Sequence, residues 1–125
     1  MTTLKFTTEH EWLRQEDNGE VTVGITDYAQ QQLGDIVYVE LPASGARFDA
    51  VANLAIIESV KAVGEITMPI AGTVIETNPR LVDEPELVNQ DPEGAGWLLR
   101  ATLDDAGVLE TLMDEAAYQL FVASL

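Results

Sequence analysis

The side chains able to do chemistry in this chain are few in kind. Its 125 residues include 22 carboxylates, one histidine (His10), three serines (Ser44, Ser59, Ser124), two lysines (Lys5, Lys61) and no cysteine. Without thiols there is no cysteine nucleophile, disulfide staple, thiolate zinc site or protein-thiol redox pair. Any sulfur chemistry must therefore arrive on a cofactor. A lone histidine excludes a multi-histidine metal site, and a hydrolytic triad would have to join His10 to Ser44, Ser59 or Ser124. No Gly-x-Ser-x-Gly elbow surrounds any of these serines. Carboxylate pairs follow from composition alone and single out nothing. Lys5, near the N-terminus, reads as an ordinary solvated charge. Lys61 sits in Ile56-Ile57-Glu58-Ser59-Val60-Lys61-Ala62-Val63-Gly64-Glu65, between two strand-like runs. The ordinary role for such a lysine is a surface charge paired with Glu58 or Glu65, worth less than ~1 kcal/mol.

The elements that must present these groups are bounded by length and charge. A chain of 125 residues fits one domain, 1–125. Its formal charge of −16 and pI near 4.1 repel phosphate backbones and anionic lipid, so neither nucleic acid nor a membrane is an expected partner. The same charge argues for a monomer. An apolar content of 46% is too high for an acidic disordered tail and implies a folded core. Met1 to Phe6 has no apolar signal region, and no apolar run is long enough to cross a bilayer. The expected compartment is the bacterial cytoplasm, or the mitochondrion had a transit peptide been removed.

Period-2 alternation dominates the first 75 residues. Glu20–Thr26, Asp35–Leu41, Leu54–Ile57, Gly72–Glu76 and Trp97–Leu103 read as strands. Asp27–Leu33 reads as a short helix, opened by Thr26 or Asp27 and closed by Gly34. Asp83-Glu84-Pro85-Glu86 is an acidic break, and Asn89–Gly96, with Pro92, Gly94 and Gly96, reads as a loop. From Asp104 to about residue 123 the apolar spacing becomes helical through Val108, Leu109, Leu112, Met113, Ala117, Leu120 and Phe121. The acids of that segment read as a solvated helix face.

One unit is repeated. Gly34-Asp35-Ile36 leads to Leu41-Pro42-Ala43-Ser44-Gly45, and Gly64-Glu65-Ile66 leads to Met68-Pro69-Ile70-Ala71-Gly72. Each copy runs Gly, acid, Ile, then apolar-Pro-x-x-Gly. A doubled strand–turn–strand unit predicts two similar halves about a pseudo-two-fold axis. The fold class expected is mainly β with peripheral helices, a small sandwich or flattened barrel.

The segment Ile57-Glu58-Ser59-Val60-Lys61-Ala62 resembles the modification site of the H protein of the glycine cleavage system, a family that carries lipoate on the lysine of this motif. The resemblance runs through almost the whole chain. Its blocks are Glu9-His10-Glu11-Trp12, Gly24-Ile25-Thr26-Asp27-Tyr28-Ala29-Gln30, Leu33-Gly34-Asp35, Val39-Glu40-Leu41-Pro42 and Pro69-Ile70-Ala71-Gly72. Asn78-Pro79, Pro85-Glu86-Leu87-Val88-Asn89 and Gly96-Trp97-Leu98 follow in order. Two stretches depart from the family's usual sequence: Ala46–Asn53 before the site and Val63-Gly64-Glu65 after it. Neither removes the lysine.

The resemblance implies a lipoyl-type hybrid barrel-sandwich with C-terminal helices, Lys61 at a hairpin tip, and lipoate joined there as an amide. It implies a carrier without catalysis of its own. Glycine decarboxylase (pyridoxal phosphate), aminomethyltransferase (tetrahydrofolate), dihydrolipoyl dehydrogenase (FAD) and a lipoate-attaching enzyme would be its partners. A lipoyl donor or relay serving other lipoyl domains needs the same exposed lysine and is the alternative. Acyl carriers place a serine in Asp-Ser-Leu, and biotin carriers place the lysine in Met-Lys-Met; neither motif occurs here. Around Lys61, Glu58, Ser59, Val60 and Ala62 are expected to be read by the attaching enzyme. Glu11 and Glu65 are expected to form a cleft for the loaded arm, with His10 beside it. Trp12 is expected in the core.

Overall fold

Among the described residues, nine strands form two antiparallel sheets, five of them where the sequence places strands and four (Thr3–Phe6, Glu11–Gln15, Arg47–Phe48 and Val63–Thr67) beyond those. The computed structural model describes residues 3–16, 19–49, 53–68 and 70–125. In chain order the strands are β1 (Thr3–Phe6), β2 (Glu11–Gln15), β3 (Val21–Ile25), β4 (Ile36–Glu40), β5 (Arg47–Phe48), β6 (Asn53–Ser59), β7 (Val63–Thr67), β8 (Gly72–Thr77) and β9 (Leu99–Leu103). The larger sheet has the order β1-β2-β3-β9-β8-β5, and the smaller has the order β4-β6-β7. Their facing sides, with Val23, Ile57, Val74 and Leu99 all at 0% exposure, make the main core.

β3 lies near the middle of the larger sheet and is buried on both faces. Val21, Val23 and Ile25 enter the main core. On the opposite face Gly24 pairs with Trp12, and a methyl at Gly24 would come within 2.5 Å of the indole ring. Trp12 is fully buried, as expected, and its ring N–H donates to Pro92 O at 2.9 Å. It forms a second apolar cluster with Phe6 and Tyr118.

The repeat also has a structural meaning. β4 and β7 are the two edges of the smaller sheet and flank β6, while β5 and β8 are neighbours in the larger one. Each copy therefore begins in one sheet and ends in the other, as two related halves require. Pro69 of the second copy lies outside the described residues.

α1 (Asp27–Leu33) has the boundaries the capping residues predict. Thr26 Oγ1 accepts from Ala29 N, and Gly34 ends the helix at φ 85°, ψ −158°, a region that only glycine adopts readily. Two helices of one turn each that went unforeseen flank the acidic break, one on each side of Pro85: α2 (Arg80–Asp83), and α3 (Leu87–Gln90), which runs into the segment read as a loop. They bury Leu81 and Val88. Two asparagines fix them in place. Asn78 Nδ2 donates to Ala95 O and Trp97 O, and Asn89 spans to α1 and β4, donating to Gly34 O at 2.8 Å and accepting from Ile36 N at 2.7 Å.

The C-terminal segment departs from one continuous amphipathic stretch. A 3-10 turn (Ala106–Thr111) is followed by a break in which Met113 and Phe6 exchange backbone hydrogen bonds. Asp114 then caps α4 (Glu115–Ala123), its carboxylate accepting from Ala117 N at 2.8 Å. The new cap resets the helical phase. Ala117 and Leu120 face solvent, Leu120 at 74% exposure, and Tyr118 turns inward at 3%.

Candidate functional site

Lys61 occupies the tip of the β6–β7 hairpin. Glu58 pairs with Val63, and Ser59 N donates to Ala62 O at 2.8 Å, leaving Val60 and Lys61 as the two residues of the loop. Favoured two-residue hairpin turns need positive φ. Among the described non-glycine residues only His10 has one. The tip closes by other means: Ser59 Oγ accepts from Ala62 N at 2.9 Å and Lys61 N at 3.3 Å, and donates to Ala62 O at 3.1 Å. Val60 N is tied to Asp35 O at 3.0 Å. The expected reader residue Ser59 thus spends its hydroxyl inside the turn. Ser59→Ala should fray the tip and lower protection of the Lys61 and Ala62 amides in hydrogen exchange about fivefold, as loss of roughly 1 kcal/mol implies. Ser59→Thr, which keeps the hydroxyl, should restore it.

The C-terminal end of α1 backs the tip. A methyl group on Gly34 would meet Lys61 Cε at 3.1 Å and Cδ at 3.6 Å, so the lysine stem lies along this glycine. Gly64, likewise, leaves room for Leu33. Lys61 itself is exposed, as are Val60 (70%) and Val63 (64%), and no ion pair of Lys61 with Glu58 or Glu65 forms among the described residues.

Of the expected arm cleft, the structure places Glu11 in a cleft but not Glu65. Glu11 lies with Thr7, Glu9, Thr67, Leu112 and Met113 along a depression of about 290 Å³. It is 1% exposed, and its carboxylate accepts from Thr67 N at 3.0 Å and from Thr7 Oγ1 at 3.3 Å. Burial raises its pKa to about 7 against the pull of the two hydrogen bonds, with the charge of Glu9 adding to the rise. Thr67 ends β7, four residues from Val63 at the tip, or about 13 Å along the strand. Glu65 is exposed between them and is absent from the cleft lining.

His10 does not join this cleft. Its Nδ1 and Tyr118 Oη lie 2.9 Å apart, and Tyr118 Oη lies 2.7 Å from Thr26 Oγ1, linking the β1–β2 turn, the α1 cap and α4. Desolvation lowers the His10 pKa and raises that of Tyr118. Tyr118 was missed in the sequence because the apolar spacing pointed to its neighbours Ala117 and Leu120. Tyr118→Phe should cost about 1 kcal/mol and lower Tm by about 4 °C in a thermal melt.

Against this geometry the comparisons are direct. A model of the glycine cleavage H-protein family matches residues 4–124. The chain belongs to that family. The H protein of the glycine cleavage system from Alkalilimnicola ehrlichii is 52% identical over 120 residues, 96% of this chain and 92% of the relative. The one from Thermotoga maritima is 50% identical, over 95% of each. The crystal structure of a glycine cleavage system H protein from Mycobacterium marinum superposes with a TM-score of 0.86 at 32% identity, covering 97% of both chains. The two-sheet fold is thus the family's lipoyl-type barrel-sandwich. Membership also gives the resembling blocks their physical content. Leu33-Gly34-Asp35 backs the hairpin tip, Asn89 ties that segment to α3, Asn78 holds the turn before β9, and the Glu9–Trp12 block carries the buried acid and the core indole.

Proposed function

We propose that this chain, as one domain spanning 1–125, carries lipoate on Lys61 and serves the glycine cleavage system as its carrier protein. The observation that carries the reading is the exposed Lys61 on a pinned two-residue tip, within the Glu58–Ala62 motif of an H-protein family member. Joined as an amide to Lys61 Nζ, lipoate supplies the pair of sulfurs that a cysteine-free chain lacks. The amide removes the ammonium, taking the formal charge from −16 to −17.

The chain's own residues orient and shelter. Ser59 and Asp35 hold the backbone of the tip, while Gly34 gives the lysine stem its rest. The free edge of β7 leads from the tip toward the cleft at Thr67, where Glu11 can hold a proton or accept one from an amine. Sheltering a labile cargo there is solvent exclusion. The chemistry belongs to the partners: glycine decarboxylase, aminomethyltransferase, dihydrolipoyl dehydrogenase and the lipoate-attaching enzyme. Tethering raises the effective concentration of the arm at each. No helix of the described residues is long and apolar enough to cross a membrane, and we place the carrier, a monomer, in the cytoplasm. Intact mass of the parent and of Lys61→Ala, expressed with lipoate available, tests the assignment.

A further inference from the structure

The end of α1 lies against one side of the β6–β7 hairpin tip. On its inner side, Leu33 packs at Gly64 and the Lys61 stem lies on Gly34, so the end of α1 closes that approach. On the outer side, strand register sets side chains in two rows across the smaller sheet. Tyr38, Glu58 and Val63 are directly opposite one another in the first row, and Glu40, Ile56 and Glu65 in the second. Residues paired in this way share a face. Acid is flanked by apolar groups in one row, and apolar by acids in the next. Tyr38 is 50% exposed and Val63 64%, and Glu40 and Glu65 are exposed. A recess of about 170 Å³, lined by Leu41, Pro42, Leu54 and Ile56, opens beside Glu40.

Tyr38 and Val63 stand exposed on either side of Glu58, one row from Glu40 and Glu65, so apolar and acidic groups share this face next to the attachment lysine and beside a recess. We propose that the outer face of β4-β6-β7 is the docking surface for the lipoate-attaching enzyme, which presents to it an apolar side chain for the recess, flanked by arginine or lysine groups for Glu40, Glu58 and Glu65. The inference rests on Lys61 being the attachment point. It extends recognition from the motif to Tyr38 and Glu40, two strands away from Val63. Charge complementarity of this kind steers encounter and is screened by salt, whereas an exposed aromatic beside a recess supplies affinity.

The test is steady-state lipoylation of the unmodified full-length chain by an attaching enzyme already shown active on another lipoyl domain. Tyr38→Ala should raise KM about tenfold with kcat unchanged. Glu40→Lys should raise KM several-fold at low salt and about not at all near 1 M, where screening removes the attraction. Gln32→Lys, on the exposed side of α1, should match the parent, and thermal melts should show all three variants folded. A parent that is modified as fast as Tyr38→Ala and Glu40→Lys, or a loss confined to Gln32→Lys, overturns the docking face and leaves the attachment site standing. A parent that is not modified at all overturns both.

Discussion

Expressed with lipoate available, the parent chain should gain the mass of one lipoyl amide, and Lys61→Ala should gain nothing. The expectation is all-or-none because amide formation needs a free amine, and the chain offers only Lys5 and Lys61 as side-chain amines. Lys5 lies within β1, opposite Leu13 in the sheet, and has no tip on which to be presented. Lys61→Arg makes the test stricter. It keeps the positive charge at the tip, and a guanidinium stays protonated and cannot act as the nucleophile. It should also remain unmodified while melting with the parent. A lipoyl amide on either variant would place the attachment elsewhere and end the assignment.

Glu11→Gln should change the pH dependence of stability by a comparable margin. Glu11 has an ordinary pKa of 4.5, raised to about 7 in the fold chiefly by burial. Between these values the folded chain binds more protons than the unfolded one, so folding stability falls as pH rises through the window and levels off above it. The shift corresponds to about 3 kcal/mol. Glutamine keeps an oxygen for Thr67 N and has no proton to lose. Variant-minus-parent stability from urea unfolding should therefore climb from pH 4.5 to 7 and then plateau. The subtraction cancels the pH dependence that variant and parent share through their overall charge. A flat difference curve would mean that Glu11 is ionised at neutral pH, and would remove the neutral acid from the cleft.

Much of this architecture is legible in the sequence where local chemistry and tertiary need agree. Thr26 and Gly34 cap α1 where capping rules put them, and β3, β4, β8 and β9 follow alternation to within a few residues. The rest is hidden for identifiable reasons. α2 and α3 are one turn each, too short for any period to register, and are held by long-range bonds from Asn78 and Asn89. The phase of α4 is lost because Asp114 starts a new helix rather than continuing the 3-10 turn. The tip carries no Asn-Gly signal because a side-chain hydroxyl, Ser59 Oγ, replaces the turn's usual left-handed residues. In the site, Lys61 stood out through its motif alone. Glu11 and Glu65 looked alike as acids, and only the fold separates a carboxyl at 1% exposure from an exposed one on β7.

Gly34 bears on how quickly a tethered group finds its target. Because the loop on either side of Lys61 is fastened by Ser59 and Asp35, backbone motion adds little to the reach of whatever hangs from the lysine. Because α1 closes one side, the space swept is nearer to a hemisphere than to a sphere. For an arm of given length that confinement raises local concentration on the open side by about twofold, the inverse of the volume lost. A residue with no side chain thereby does kinetic work: by letting the stem lie flat against the protein, it fixes the pivot from which every search begins.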